Sequence, residues 1–327
     1  MFDKSATARR LPGVATSELI GRSGDNGHVE FEGQHGPAAV FQFAGSKDRA
    51  WSAINLQAQG VKVLVEVDDN YLDDLDPITR GRAGWAVNIG EKIGGTSVQG
   101  HRWIVEQADG VICTTTQLAE MYAAVNPNVH VCRNSLDMAD WPDPPEPFDV
   151  DGVTVSPDDG VFRVGWFASM SHDRDERLVR RAMAWASRQP GVQVVTMGYN
   201  PPWGFDRLHI PWSNDIAVYH RMMHLLDVGL CPVERTGWSI CRSDLKSLEY
   251  AAAGALPIMS GQPPYDEWRD KPFGRFAANG KDFEEQIRWA VRNQDKVREL
   301  AAQAKSYVLS ERLIQNEVPR WETACAS

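Results

Sequence analysis

No stretch of the 327-residue chain is apolar for long enough to cross a bilayer as a helix, so any membrane contact is expected to be peripheral. The opening residues, "MFDKSATARRLPGVATSELIGRSG", hold no apolar run of the kind that drives secretion, and they do not read as a signal peptide. Positive charge is in short supply. The 34 Lys and Arg residues face 44 Asp and Glu residues, and a net charge of −10 disfavours a surface built to coat a nucleic-acid backbone. Cysteine is sparse too: Cys113, Cys132, Cys231, Cys241 and Cys325 form no CxxC pair and no zinc-like spacing with histidine. Their odd number fits a reducing compartment, and with the missing leader it points to the cytoplasm. No metal site is expected from these cysteines.

What is present is an α/β rhythm. Apolar residues make up 43% and charged residues 24% of the chain, as in soluble globular proteins, and the length suits two domains. "AAVFQF", "VKVLVEV", "GVICTT" and "VHVCRN" are strand-like runs separated by helical patterns. They are too apolar for a half-exposed sheet, which implies parallel strands covered on both faces. The Pro- and Asp-rich stretch "DWPDPPEPFDVDGVTVSPDDG" (140–160) breaks the rhythm and marks a boundary. It then restarts with "VFRVGWFA", "VQVVTMGY", "RLHIPW", "VGLCPV" and "LPIMS". The expectation is an N-terminal Rossmann-like domain over 1–145, a linker over 146–160 and a C-terminal domain over 161–305. A last helix over 306–327 is expected to pack back toward the first domain. Ligands of such sheets bind outside the carboxyl ends of the strands, and two such edges could face each other across a cleft.

Two segments of the second half carry chemistry. In "VGWFASMSHDRDERL" (164–178), a strand ends near Gly165, small hydroxyl residues follow, and a helix is expected to begin near Ser171 or His172. Backbone N–H groups at such a helix start bind anions, with Ser169, Ser171 and His172 as added donors. An ordinary capped turn is the plainer alternative. In "RSDLKSLEYAAAGALPI" (242–258), Ser243 is a candidate cap, and Arg242, Lys246, Glu249 and Ala253 fall on one helical stripe. A cation at the N-terminal, positive end of a helix is unfavourable by itself, and a bound diphosphate would reverse that penalty. Glu249 could then accept hydrogen bonds from two sugar hydroxyls. A solvated face with a weak Lys246–Glu249 pair is the alternative.

The ordered set "VGWFASMSH", "VVTMGY", "LLDVGLCPV" and "CRSDLKSLEYAAAGALPIMSG" resembles the C-terminal domain of GT-B glycosyltransferases of the retaining family 4 type. "ADGVICTTTQLAEMYAAVNPNVHVCRNSLD" is similar to the stretch that closes that family's N-terminal domain, and "GVKVLVEVDDNYLD" resembles a strand-DD element of some members. The resemblance spans roughly residues 38 to 325. It implies two doubly wound domains and a UDP- or GDP-sugar as co-substrate rather than a tightly bound cofactor. It implies that Glu249 binds the donor ribose, with Arg242, Ser243 and Lys246 near the diphosphate. Gly165, Ser169 and His172 would line the opposing phosphate loop. Tyr199 and Trp212 are candidates near the nucleobase, and Trp238 and Ser239, in the loop "ERTGWSI", are candidates at the donor sugar.

The chain departs from the pattern in two places. The family often has a glutamate eight residues before the ribose-binding one, and here that position is Cys241. The N-terminal half is also short for an acceptor domain. On that side Asp68, Asp69, His101 and Asn134 are the candidates, with a capping Asp, a surface histidine and a structural Asn134 as the plainer readings; a Mg²⁺ pair at Asp68 and Asp69 is disfavoured, because the resemblance implies helix dipoles in place of a metal clamp. The implied activity is transfer of a sugar from a nucleotide diphosphate to an acceptor hydroxyl, on a glycan, a protein or a hydroxylated nucleobase. A nucleotide-sugar epimerase and a non-catalytic nucleotide-sugar-binding protein are the alternatives.

Overall fold

The computed structural model describes residues 28–33, 36–42, 47–72, 98–139, 141–150, 153–169 and 172–327. The chain divides into two compact units, neither continuous in sequence. One holds the chain up to Asn134 with Thr236–Ser243 and Ile314–Ser327, and the other holds Ser135–Arg235 with Asp244–Leu313.

The first unit runs β1 (His28–Gly33), β2 (Gly36–Gln42), α1 (Lys47–Ala58), β3 (Lys62–Val67), α2 (Val98–Gln107), β4 (Gly110–Cys113), α3 (Thr116–Tyr122) and β5 (Val129–Val131). Its sheet has the order β1-β2-β3-β4-β5, with β1 antiparallel to β2 and the remaining pairs parallel. All of β4 is buried, and only the first residue of β3 escapes burial, as their near-continuous apolar sequences require. One face packs Phe41, Val63, Val65 and Val111 against Ile104, Leu118 and Tyr122. The other packs Val40, Leu64 and Ile112 against Ala324 of the C-terminal helix. Thr115 starts α3 by accepting a hydrogen bond from the Leu118 amide at 3.2 Å.

The second unit begins with a small antiparallel ribbon, β6 (Phe148–Val150) and β7 (Val153–Val155), inside the Pro- and Asp-rich stretch. It continues through β8 (Phe162–Ala168), α4 (Glu176–Ala186), β9 (Val192–Gly198), β10 (Leu208–Ile210), α5 (Ile216–Met223) and β11 (Val228–Cys231). Next come α6 (Leu245–Ala253), β12 (Leu256–Ser260), β13 (Arg275–Ala277), α7 (Gly280–Arg292) and α8 (Gln294–Glu311). The last helix, α9 (Ile314–Ala326), is the one that belongs to the first unit. The six strands are all parallel, in the order β10-β9-β8-β11-β12-β13. Every residue of β8, β11 and β12 is buried.

Helix α6 is pressed onto this sheet by absence of bulk beneath it. A Cβ at Gly229 would lie 2.2 Å from the Tyr250 ring, so only glycine lets that ring seat. The Tyr250 hydroxyl then accepts the Phe167 amide of β8 at 2.9 Å. Gly254 ends α6 at φ +96°, a left-handed conformation that glycine adopts without strain. Residues Ser247 to Ala253 are all buried, so α6 has no solvated face in this stretch.

Candidate active site

In the second unit, the site candidates lie where β8 and β11, adjacent in the sheet, give way to loops at their carboxyl ends. Gly165 is inside β8 rather than on the phosphate loop expected for it. A Cβ there would meet the Leu226 side chain at 2.4 Å, so its role is close packing. The helix expected to begin near Ser171 or His172 begins instead at Glu176. Ser171 itself lies outside the described residues. Between strand and helix the chain makes a tight turn: the His172 amide donates to Ser169 at 3.1 Å, and the Asp175 amide donates to His172 at 3.0 Å. Asp175 is buried with both oxygens engaged. Oδ2 meets His172 Nδ1 at 2.8 Å, and Oδ1 accepts the Glu234 amide at 2.8 Å. Arg174 and Glu234 pair at 3.2 Å across the same two loops.

Helix α6 supplies the second cluster. Asp244 occupies the cap position, not Ser243, but its carboxylate does not cap. It is taken instead by Arg312, through contacts of 2.6 and 2.9 Å, and by the Trp268 indole N–H at 2.9 Å. Glu267 adds a third contact to Arg312 at 3.2 Å, and this carboxylate company raises the guanidinium pKa despite its burial. Two residues on, the Lys246 ammonium donates to the Tyr219 hydroxyl and stands 4.8 Å above that ring and 4.0 Å from Glu249.

Glu249 is 1% exposed, which rules out the alternative that placed it on a solvated face. Its oxygens face two successive residues of α5: the Tyr219 hydroxyl donates at 3.4 Å, and His220 Nε2 lies at 3.3 Å. Both are long for hydrogen bonds, so an incoming hydroxyl could replace either at small cost. Burial, with Glu249 beside it, pushes the Tyr219 hydroxyl well above the ordinary phenol value, so it stays a donor. The His220 ring stacks on Trp141 at 4.2 Å, and the Trp141 indole N–H donates to His224 at 3.2 Å. Trp141 thus backs the histidine that faces Glu249.

The two nucleobase candidates behave differently. Tyr199 donates to Glu176 at 3.3 Å and sets an edge against Trp166, a structural placement. Trp212 is half exposed instead of lying in the core, the commoner fate of tryptophan. Its ring lies over Gly198, where a Cβ would come within 2.8 Å of it. It is the flat apolar surface at this edge of the sheet.

The other sequence candidates belong to the first unit. Arg242 precedes α6 with extended backbone (ψ 158°), so it does not share the helical stripe of Lys246 and Glu249. Its guanidinium lies 3.8 Å from Asp69, and Asp68 accepts from the Tyr71 hydroxyl at 3.4 Å. Asn134 donates to the Ser243 hydroxyl at 2.6 Å. His101 is not a surface histidine: it is 1% exposed, with Nε2 2.8 Å from the Tyr122 hydroxyl and Tyr71 edge-on at 5.5 Å. Trp238 is buried against Tyr71, and Ser239 is buried beside Thr236 with their hydroxyls 2.8 Å apart. Cys241 is fully buried, its thiol pointing at the Gly237 carbonyl (3.4 Å) and Met121 sulfur (3.3 Å). Burial pushes this thiol up to about 12, with Asp69 adding to the effect. It is therefore neutral at physiological pH and unsuited to act as a nucleophile or as a substitute for a carboxylate.

Sequence reasoning missed Asp175, Tyr219, His220 and Trp141. The H-x-x-D spacing of His172 and Asp175 was a local signal for the first. Tyr219 and His220 reach Glu249 across a large sequence separation, Trp141 reaches His220 across another, and no local pattern marks them. Among the described residues, no cluster of His, Cys, Asp and Glu could hold a metal ion, and no helix is long and apolar enough to span a membrane.

The sequence matches no protein-family model and no curated protein. The structure is similar to solved GT-B glycosyltransferase structures. HepE of Anabaena in complex with UDP-glucose superposes with a TM-score of 0.59 at 14% identity, covering 88% of this chain and 79% of HepE. TarM of S. aureus gives a TM-score of 0.56 at 12% identity over 82% of this chain. The chain spans about half the length of TarM (51%). Sucrose-phosphate synthase of Thermosynechococcus elongatus gives 0.53 at 14% identity, covering 87% of this chain and 72% of the synthase. At these identities the likeness is one of fold. The two parallel α/β units have the GT-B fold that the motifs implied.

Proposed function

We propose that this chain is a glycosyltransferase that moves a sugar from a nucleotide-diphosphate donor to an acceptor hydroxyl, with retention of configuration. The observation that carries the reading is Lys246 at the N-terminal end of α6, one turn ahead of the buried Glu249, in a fold shared with an enzyme bound to UDP-glucose. A cation at that end has no helix-stabilising role, whereas with the helix dipole it forms an anion site. In this reading Lys246 neutralises the departing diphosphate, an electrostatic contribution that needs no metal. Glu249 accepts the ribose hydroxyls, which replace the long bonds from Tyr219 and His220. His172 donates to the phosphates from the turn after β8, and Trp212 offers its exposed face to the base. With retention, the leaving phosphate oxygen takes the acceptor proton, so no side-chain base is required.

The burial of Cys241 favours a second reading, a nucleotide-sugar-binding protein without turnover, because the side chain at the family's usual glutamate position is neutral and inward-facing. Binding comes first in either case. UDP or GDP at about a hundred times its dissociation constant is expected to stabilise the chain by about 2.7 kcal/mol, read as a rise in melting temperature. No rise with either nucleotide would contradict both readings.

A further inference from the structure

We propose that Asp175 is the positioning residue of the turn after β8. It holds the His172 ring by Nδ1 so that Nε2 is presented to a phosphate oxygen of the donor. The inference builds on the proposed function and adds a residue to it.

Geometry carries the claim. Asp175 is 3% exposed, and its His172 and Glu234 contacts are both 2.8 Å. The backbone closes the same turn through Ser169 and His172, so ring and carboxylate are held from two directions. A carboxylate on one ring nitrogen fixes the imidazole's orientation and places a proton on that nitrogen. In the neutral form Nε2 would then be an acceptor, which a phosphate oxygen repels. In the protonated form Nε2 donates, and the Asp175 charge favours that form. A bound diphosphate therefore selects the imidazolium, and binding takes up a proton. The same carboxylate ties down Glu234, on the loop after β11, so one buried group sets both loops.

The ionisable groups around the turn agree with this sign. Asp173, Arg174, Asp175 and Glu176 lie on its own segment, Glu234 on the loop after β11, and Tyr199 after β9. Arg174 and Glu234 pair with each other, Tyr199 donates to Glu176, and Asp175 itself is the carboxylate in contact with the ring.

The test uses the full chain, UDP as probe, and two variants. Asp175→Asn keeps the shape and can still accept the Glu234 amide, but it turns an N–H toward His172 Nδ1. Proton NMR of His172 in the ligand-free Asp175→Asn chain is expected to show its titration moved down by about one pH unit or more. UDP affinity at pH 7 is expected to fall roughly tenfold. His172→Gln leaves Asp175 in place, and its UDP affinity is expected to lose the wild-type decline between pH 6 and 8.5. An unmoved His172 titration in Asp175→Asn, or a wild-type pH profile in His172→Gln, would overturn the proposal. If the wild-type chain binds neither UDP nor GDP, the proposed function fails by itself, and the ligand-free titration still judges Asp175.

Discussion

Lys246→Ala is expected to lower turnover of the nucleotide-sugar donor by about 10²–10³-fold while leaving the chain folded. The loss follows from position. A preorganised cation at a helix N-terminus acts on charge that develops as the diphosphate leaves, so its removal is felt in kcat as well as in donor affinity. Stability is expected to change by less than about 1 kcal/mol, because a lysine at the positive end of a helix is mildly unfavourable and its pair with Glu249 is a 4.0 Å contact. Lys246→Arg should recover only part of the activity, since a planar fork does not reproduce the compact ammonium above the Tyr219 ring. Steady-state kinetics and a melting curve on the same preparation check both halves. Wild-type kcat in Lys246→Ala would remove Lys246 from the site.

Arg312→Ala is expected to destabilise the second unit by about 3–5 kcal/mol, the effect of stripping one partner from a buried ion pair. Arg312 and Asp244 are both nearly inaccessible, and their fork-to-fork contacts leave Asp244 no route to water. Without Arg312, the carboxylate at the start of α6 keeps only the Trp268 indole and must stay charged in an apolar setting or take up a proton. The midpoint of thermal unfolding should fall by roughly 10 °C. Because Asp244 lies two residues before Lys246, turnover should fall with stability. An Arg312→Met, Asp244→Leu double variant should lose less stability than Arg312→Ala, since it removes both charges together. Equal losses would mean that packing, not the charge, is the cause. The comparison is read from urea unfolding of the three chains.

The fold was legible because its signals are local. Apolar runs such as those of β8 and β12 can only be covered strands, and the order of the motifs placed them in one parallel sheet. The candidate site was legible in part, for the same reason. Lys246 and Glu249 are three residues apart on one helix, so their proximity follows from helix geometry. Arg242 failed that logic because its extended backbone lies outside the helix, which no side-chain pattern revealed. The cap also went elsewhere: Asp244 is drawn to Arg312, 68 residues away, and a tertiary partner overrode the local preference. His101 read as a surface residue because its helix has polar neighbours, yet Tyr122 and Tyr71 enclose it. Glu249 shows the limit most clearly. Its stripe left a sugar-binding carboxylate and a solvated one both open, whereas α5 buries it behind Tyr219 and His220, a relation set by packing rather than by spacing.

The central claim is that this site activates a nucleotide sugar. It is tested most directly by free nucleoside diphosphate released when the purified chain is incubated with a panel of UDP- and GDP-sugars, with water as the acceptor of last resort. The account predicts slow release from at least one donor, abolished in Lys246→Ala. No release from any donor, or equal release by the variant, would contradict it.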